Sequence, residues 1–84
     1  MGMLLTEVTL HNGTRAGTGT ASFACPAPEV YPDGRIAIIL DVSTGHEYLL
    51  HPGDTFPVHD QTWQLDRVEN PGTDHWRVRL IRIG

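Results

Sequence analysis

Apolar residues recur at every second position along most of the chain, and no window shows the spacing of an amphipathic helix. Leu4, Thr6, Val8 and Leu10 alternate with Leu5, Glu7, Thr9 and His11, which predicts a half-buried strand with Glu7, Thr9 and His11 outward. Asn12-Gly13 follows, a dipeptide that tolerates the two positive φ angles of a type I′ hairpin, so a second strand is expected over residues 14–24. Within it, Gly17-Thr18-Gly19 predicts a sharp bend or a bulge. Three prolines between residues 25 and 34 predict the longest loop. Residues 35–42 are apolar on nearly both faces and predict a central strand. Further strands are expected over residues 46–51, 55–59, 62–69 and 74–83, and Pro57 places the second of these at an edge or beside a bulge. The expected architecture is a single all-β domain over residues 1–84, with about seven short antiparallel strands and no significant helix. It forms a meander that becomes a small barrel or a two-sheet sandwich.

Turn positions extend this reading to register. A hairpin centred on Pro71-Gly72, closed by a loop wider than two residues because Pro-Gly prefers a type II turn, sets Trp63 against Leu80, Leu65 against Val78 and Arg67 against Trp76, with Asp66–Arg77 and Gln64–Arg79 on the opposite face. Both tryptophans then face inward, while Ile81 and Ile83 point away from Trp76, Val78 and Leu80. A hairpin centred on Pro52-Gly53, with Asp54 capping the turn, sets His46 opposite His59. Cross-strand Cβ atoms lie about 4.5–5.5 Å apart, close enough for both imidazoles to ligate one zinc ion. Asp60, His51 or His75 is then the third ligand.

Composition narrows the function classes. A 9.3 kDa chain folds to about 5,000 Å² of surface, which suits one modest core rather than a deep substrate cavity. The formal charge of −4 is unevenly spread: the first 61 residues hold two arginines against seven carboxylates, the last 23 four arginines against three. An acidic chain argues against general nucleic-acid binding. Neither a signal peptide nor a membrane-spanning run is expected, and the lone Cys25 fits a reducing, cytoplasmic setting. No phosphate loop, GxSxG elbow or ordered metal-ligand spacing occurs, so neither catalysis nor a cofactor is expected.

The leading expectation is a non-enzymatic module for protein interaction or self-association, with a homodimer as one form. Arg77, Arg79, Ile81 and Ile83 on the last strand would meet the acidic front of a second copy or an acidic partner. Two alternatives stand beside it. One is a small-ligand β-barrel lined by Trp63 and Trp76. The other is a zinc-binding module using His46 and His59, or an OB-like binder of single strands on which the tryptophans stack. Residues 51–59 resemble the PGD turn of cupins, without that family's paired histidines and glutamate. Residues 52–58 followed by 61–68 are similar to the C-terminal half of small uncharacterised all-β proteins of high-GC bacteria, over about 20 residues. That resemblance implies a bacterial, cytoplasmic protein and no particular activity.

Overall fold

Alternation sets the inner face of each strand. In the computed structural model, which describes residues 6–84, strand β1 (Glu7–His11) buries Val8 and Leu10 and exposes Glu7, Thr9 and His11. The start of that expected strand, with Leu4 and Leu5, lies outside the described residues. Next come β2 (Ala16–Gly17), β3 (Ser22–Ala24), β4 (Glu29–Val30) and β5 (Ile36–Val42). The chain continues through β6 (His46–Leu50), β7 (Thr55–Val58), β8 (Gln61–Glu69) and β9 (Arg77–Arg82). These nine strands form two antiparallel sheets, without helix among the described residues. The first has the order β1-β9-β8-β7; in the second, β5 is central and pairs with β3, β4 and β6, while β2 lies outside β3. The sheets do not join into a closed barrel.

Two local features raise the count from seven strands to nine. The bend expected at Gly17-Thr18-Gly19 is a full reversal, with Gly17 paired to Ser22 and Ala16 to Phe23. Gly19 sits at φ 98, the Thr18 N–H donates to the Ala21 carbonyl at 2.8 Å, and the buried Thr18 hydroxyl accepts from Ala21 N–H at 3.3 Å. The proline-rich loop meanwhile contributes β4, which pairs with the start of β5. From β3 to β4 the register against β5 changes by only one residue, so both lie along the same edge. Pro26 and Pro28 interrupt that edge because neither carries an N–H to donate.

Two turns expected to close hairpins instead carry the chain between sheets. At Asn12-Gly13 only Gly13 has positive φ, 78, which is not the type I′ geometry. The Thr14 hydroxyl accepts from His11 N–H at 3.1 Å and donates to its carbonyl at 2.7 Å. The Thr14 N–H also donates to the His11 carbonyl at 3.0 Å, yet β2 beyond the turn pairs with β3 of the other sheet, while β1 pairs with β9. At Pro52-Gly53 the Asp54 carboxylate accepts from His51 N–H at 2.8 Å, which is the expected cap. Gly53 N–H and the Asp54 carbonyl then bond to Leu65, drawing the chain onto β8.

The core lies between the sheets. Phe23 of β3 meets Trp63 of β8 edge-on at 5.4 Å and Phe56 of β7 at 6.0 Å, while Tyr48 of β6 lies 5.6 Å from Phe56. Such pairs contribute about 0.5–1.5 kcal/mol each beyond area burial. The Trp63 indole N–H donates to the Gln61 side-chain carbonyl at 3.0 Å, both groups being buried. Gln61→Leu leaves that N–H without its partner, so a loss of about 1–3 kcal/mol is expected in urea unfolding followed by circular dichroism.

The β8–β9 pairing is present but its register differs from expectation. Trp63 pairs with Arg82, Leu65 with Leu80, Arg67 with Arg79 and Glu69 with Arg77, with a shift between Leu65 and Arg67. Pro71-Gly72 does turn the chain, with Gly72 at φ 82 and Asn70 at φ 50. The hairpin closes only outside residues 70–76, because Thr73 bonds back to Asn70 and Trp76 is drawn into the core. The inward face survives the shift: Trp63, Leu65, Val78 and Leu80 are all fully buried. At the β7–β8 turn, His59 holds φ 55. A β-branched residue there costs about 1–2 kcal/mol, whereas asparagine tolerates it. Melting temperatures should therefore rank His59→Val below His59→Asn.

Candidate functional site

The histidine pair expected to share a metal is not formed by strand pairing. His46 stands on β6 beside β5, opposite Val42, whereas β7 pairs with β8 in the other sheet and leads into His59. The His59 ring lies 3.2 Å from the Thr20 carbonyl, and His46 tilts against Tyr48 at 6.0 Å. The expected Pro52-Gly53 hairpin failed because that turn changes sheets. Among the described residues, no cluster of three His, Cys, Asp or Glu side chains is placed to hold a metal ion.

The two tryptophans separate in role. Trp63 is wholly enclosed between the sheets and presents no face to a ligand or a base. Trp76 is also buried, and this residue lines a surface cavity of about 360 Å³ with His11, Asn12, Asn70, Asp74, His75 and Arg77.

Of the expected interaction residues, Arg77, Arg79 and Ile81 share the outer face of β9, and Ile83 follows the strand. Arg79 is occupied: Glu7 approaches its guanidinium at 2.6 Å and Asp66 at 3.7 Å. These carboxylates offset the Arg67–Arg79 cross-strand pair. Arg77 is exposed and enters no ion pair among the described residues. Ile81 is half-buried and Ile83 half-exposed.

The outer face of the second sheet carries a larger apolar feature. Ile39 and Leu49 are direct partners across β5 and β6, and both are exposed, Leu49 to 61%. Their row neighbours Asp41 and Glu47 are also partners; Asp41 binds Arg15 at 3.1 Å, and Glu47 enters no ion pair among the described residues. Beyond this pair, at the start of β5 and the end of β6, Gly34, Arg35, Ile36, His51 and Pro52 line a second cavity of about 410 Å³. Sequence reasoning missed this surface. The signal was the doublets Ile38-Ile39 and Leu49-Leu50, each of which must send one side chain outward in a strand.

Edges differ in their protection. Strand β7 carries Pro57, β4 is two residues long, and β1 shows Glu7, Thr9 and His11 outward. Strand β6 has five residues, His46-Glu47-Tyr48-Leu49-Leu50, with neither proline nor lysine. Among the described residues it pairs on one side only, with β5. An edge of this kind is a template for another strand.

Burial pushes the Cys25 thiol up from an ordinary 9.0 to about 11. At pH 8 it carries about a hundredfold fewer thiolates than an ordinary cysteine, and alkylation should be slower by that factor, measured by mass. The raised value also means that the buried neutral thiol stabilises the fold below pH 9. This contribution is lost as pH rises from 9 through 11.

Among the described residues the fold is a two-sheet all-β unit with an open edge at β6 and an exposed apolar pair beside it. The chain belongs to a protein family of unknown function, DUF6406, whose model matches residues 5–84. Comparison with curated proteins and with solved structures gives no significant match. Among the described residues, no helix is long and apolar enough to cross a membrane.

Proposed function

We propose that this protein is a non-enzymatic module that self-associates through the open edge of β6. The observation that carries the reading is the exposed Ile39–Leu49 pair beside that edge. Adding a strand satisfies the outer backbone groups of β6, and the apolar pair supplies burial. A second copy fits on charge. Antiparallel pairing of two β6 strands centred on Leu49 sets each Leu49 against its counterpart. The same register places Glu47 of one copy opposite His51 of the other, on the same face by alternation. His51 directs Nδ1 toward Asp54 at 3.4 Å, which leaves Nε2 for the incoming carboxylate. The all-arginine cation set and the lone protonated thiol suit the cytoplasm of a bacterium with a GC-rich genome.

A single added strand gives a small interface, so the dimer should form in the micromolar range, roughly 1–100 µM. Sedimentation equilibrium across that range should show a monomer–dimer equilibrium that weakens with salt. A monomer at millimolar concentration and low salt would refute the reading.

A further inference from the structure

We infer that the cavity between the β1–β2 turn and the β8–β9 loop binds a small phosphate monoester that carries hydroxyl groups. The cavity exists because the β8–β9 hairpin does not close on Pro71-Gly72; residues 70–76 bulge out and bring Asn70, Asp74 and His75 to face the end of β1. His11, the last residue of β1, is the direct cross-strand partner of Arg77, the first of β9. Partners at that position hold their Cβ atoms about 4.5–5.5 Å apart, so guanidinium and imidazole reach one ligand atom group together.

The lining is rich in nitrogen. Arg77 offers a planar fork of donors, His11 and His75 offer ring nitrogens, and Asn12 and Asn70 offer carboxamides. Asn70 uses part of its amide on the His75 carbonyl at 3.4 Å, which fixes the loop against the cavity. The charge of Arg77 is not spent inside the protein. Its partner across the sheet, Glu69, lies with Arg67 at 3.9 Å, and Arg77 enters no ion pair among the described residues. A carboxylate fills the guanidinium fork with two oxygens and leaves the imidazoles unused. A phosphate group has enough oxygens to engage Arg77, His11 and His75 at once.

Size and the one opposing charge select the rest of the ligand. About 360 Å³ exceeds what inorganic phosphate fills and lies at the low end of small-molecule pockets. Asp74 repels a dianion but accepts hydrogen bonds from hydroxyl groups, so it faces the alcohol part of the ester. The site lies on the other sheet from β6 and stands or falls independently of self-association.

Titration of the ¹⁵N-labelled protein with ribose 5-phosphate, inorganic phosphate and ribose tests the assignment. The expected result is a set of backbone-amide shifts confined to residues 11–12 and 70–77, with a Kd below about 1 mM for the ester. Inorganic phosphate should bind at least threefold more weakly, and ribose not measurably. Arg77→Gln should weaken the ester at least tenfold, and Arg77→Lys, which keeps the charge and loses the fork, by less. Asp74→Asn should strengthen inorganic phosphate and weaken the ester. Shifts outside the cavity, equal affinity for phosphate and ester, or an Arg77→Gln protein that folds and binds unchanged would overturn the inference.

Discussion

Trp63→Ala is expected to remove a large part of the stability of this domain. The indole is completely buried, meets Phe23 edge-on at 5.4 Å and donates to Gln61 at 3.0 Å. It joins the sheets at the point where β3 faces β8. Truncating a buried tryptophan costs about 3–5 kcal/mol, from lost transfer energy and the cavity left behind. An 84-residue chain has roughly 4–13 kcal/mol of stability in total. The melting temperature should fall by roughly 12–40 °C, read by scanning calorimetry. Trp63→Phe keeps an aromatic ring against Phe23 and should lose much less. A Trp63→Ala protein that melts within a few degrees of the native one would mean that the two sheets are not joined there.

The second large effect concerns association. Leu49→Lys removes an exposed leucine and adds a charge to the β6 edge, one of the devices by which edge strands avoid pairing. In a symmetric interface the change counts twice, and central apolar anchors contribute about 2 kcal/mol or more. Dimerisation should weaken at least thirtyfold in sedimentation. The dilute monomer should keep its melting temperature, because surface substitutions usually stay within about 0.5 kcal/mol. Ile83→Lys provides the contrast. Ile83 is 52% exposed but lies just past β9 in the other sheet, so the same charge there should leave the dimer unchanged. A reversal of these two results would move the interface to the face that carries Arg77, Arg79 and Ile81.

Inner faces were legible because alternation is local: Val8 with Leu10, and Val78 with Leu80, needed only their neighbours in sequence. Pro57 marked an edge strand for an equally local reason, its missing N–H. Partnership between strands was not legible. Asn12-Gly13 and Pro52-Gly53 turn the chain as expected, yet the strand that follows each turn, β2 or β7, belongs to the opposite sheet. That choice separated His46 from His59. In the β8–β9 pair, the turn sat where expected but Trp76 gained more by entering the core than by pairing early, which slid the register.

The candidate surfaces divide along the same line. Arg77 and Arg79 were visible as charges, but only the pairing shows that Arg79 is held by Glu7 and Asp66 while Arg77 borders the cavity. Leu49 was hidden by parity, since nothing in Leu49-Leu50 tells which leucine faces the core until β6 is docked on β5.

The most direct test is amide hydrogen exchange of the native chain at two concentrations, one well below and one well above the dimer Kd. Self-association through β6 predicts that protection rises with concentration at alternate amides of His46–Leu50, with smaller changes at the Ile39 row of β5. Protection that is independent of concentration at β6, or that rises instead along β9 or β1, would contradict the account.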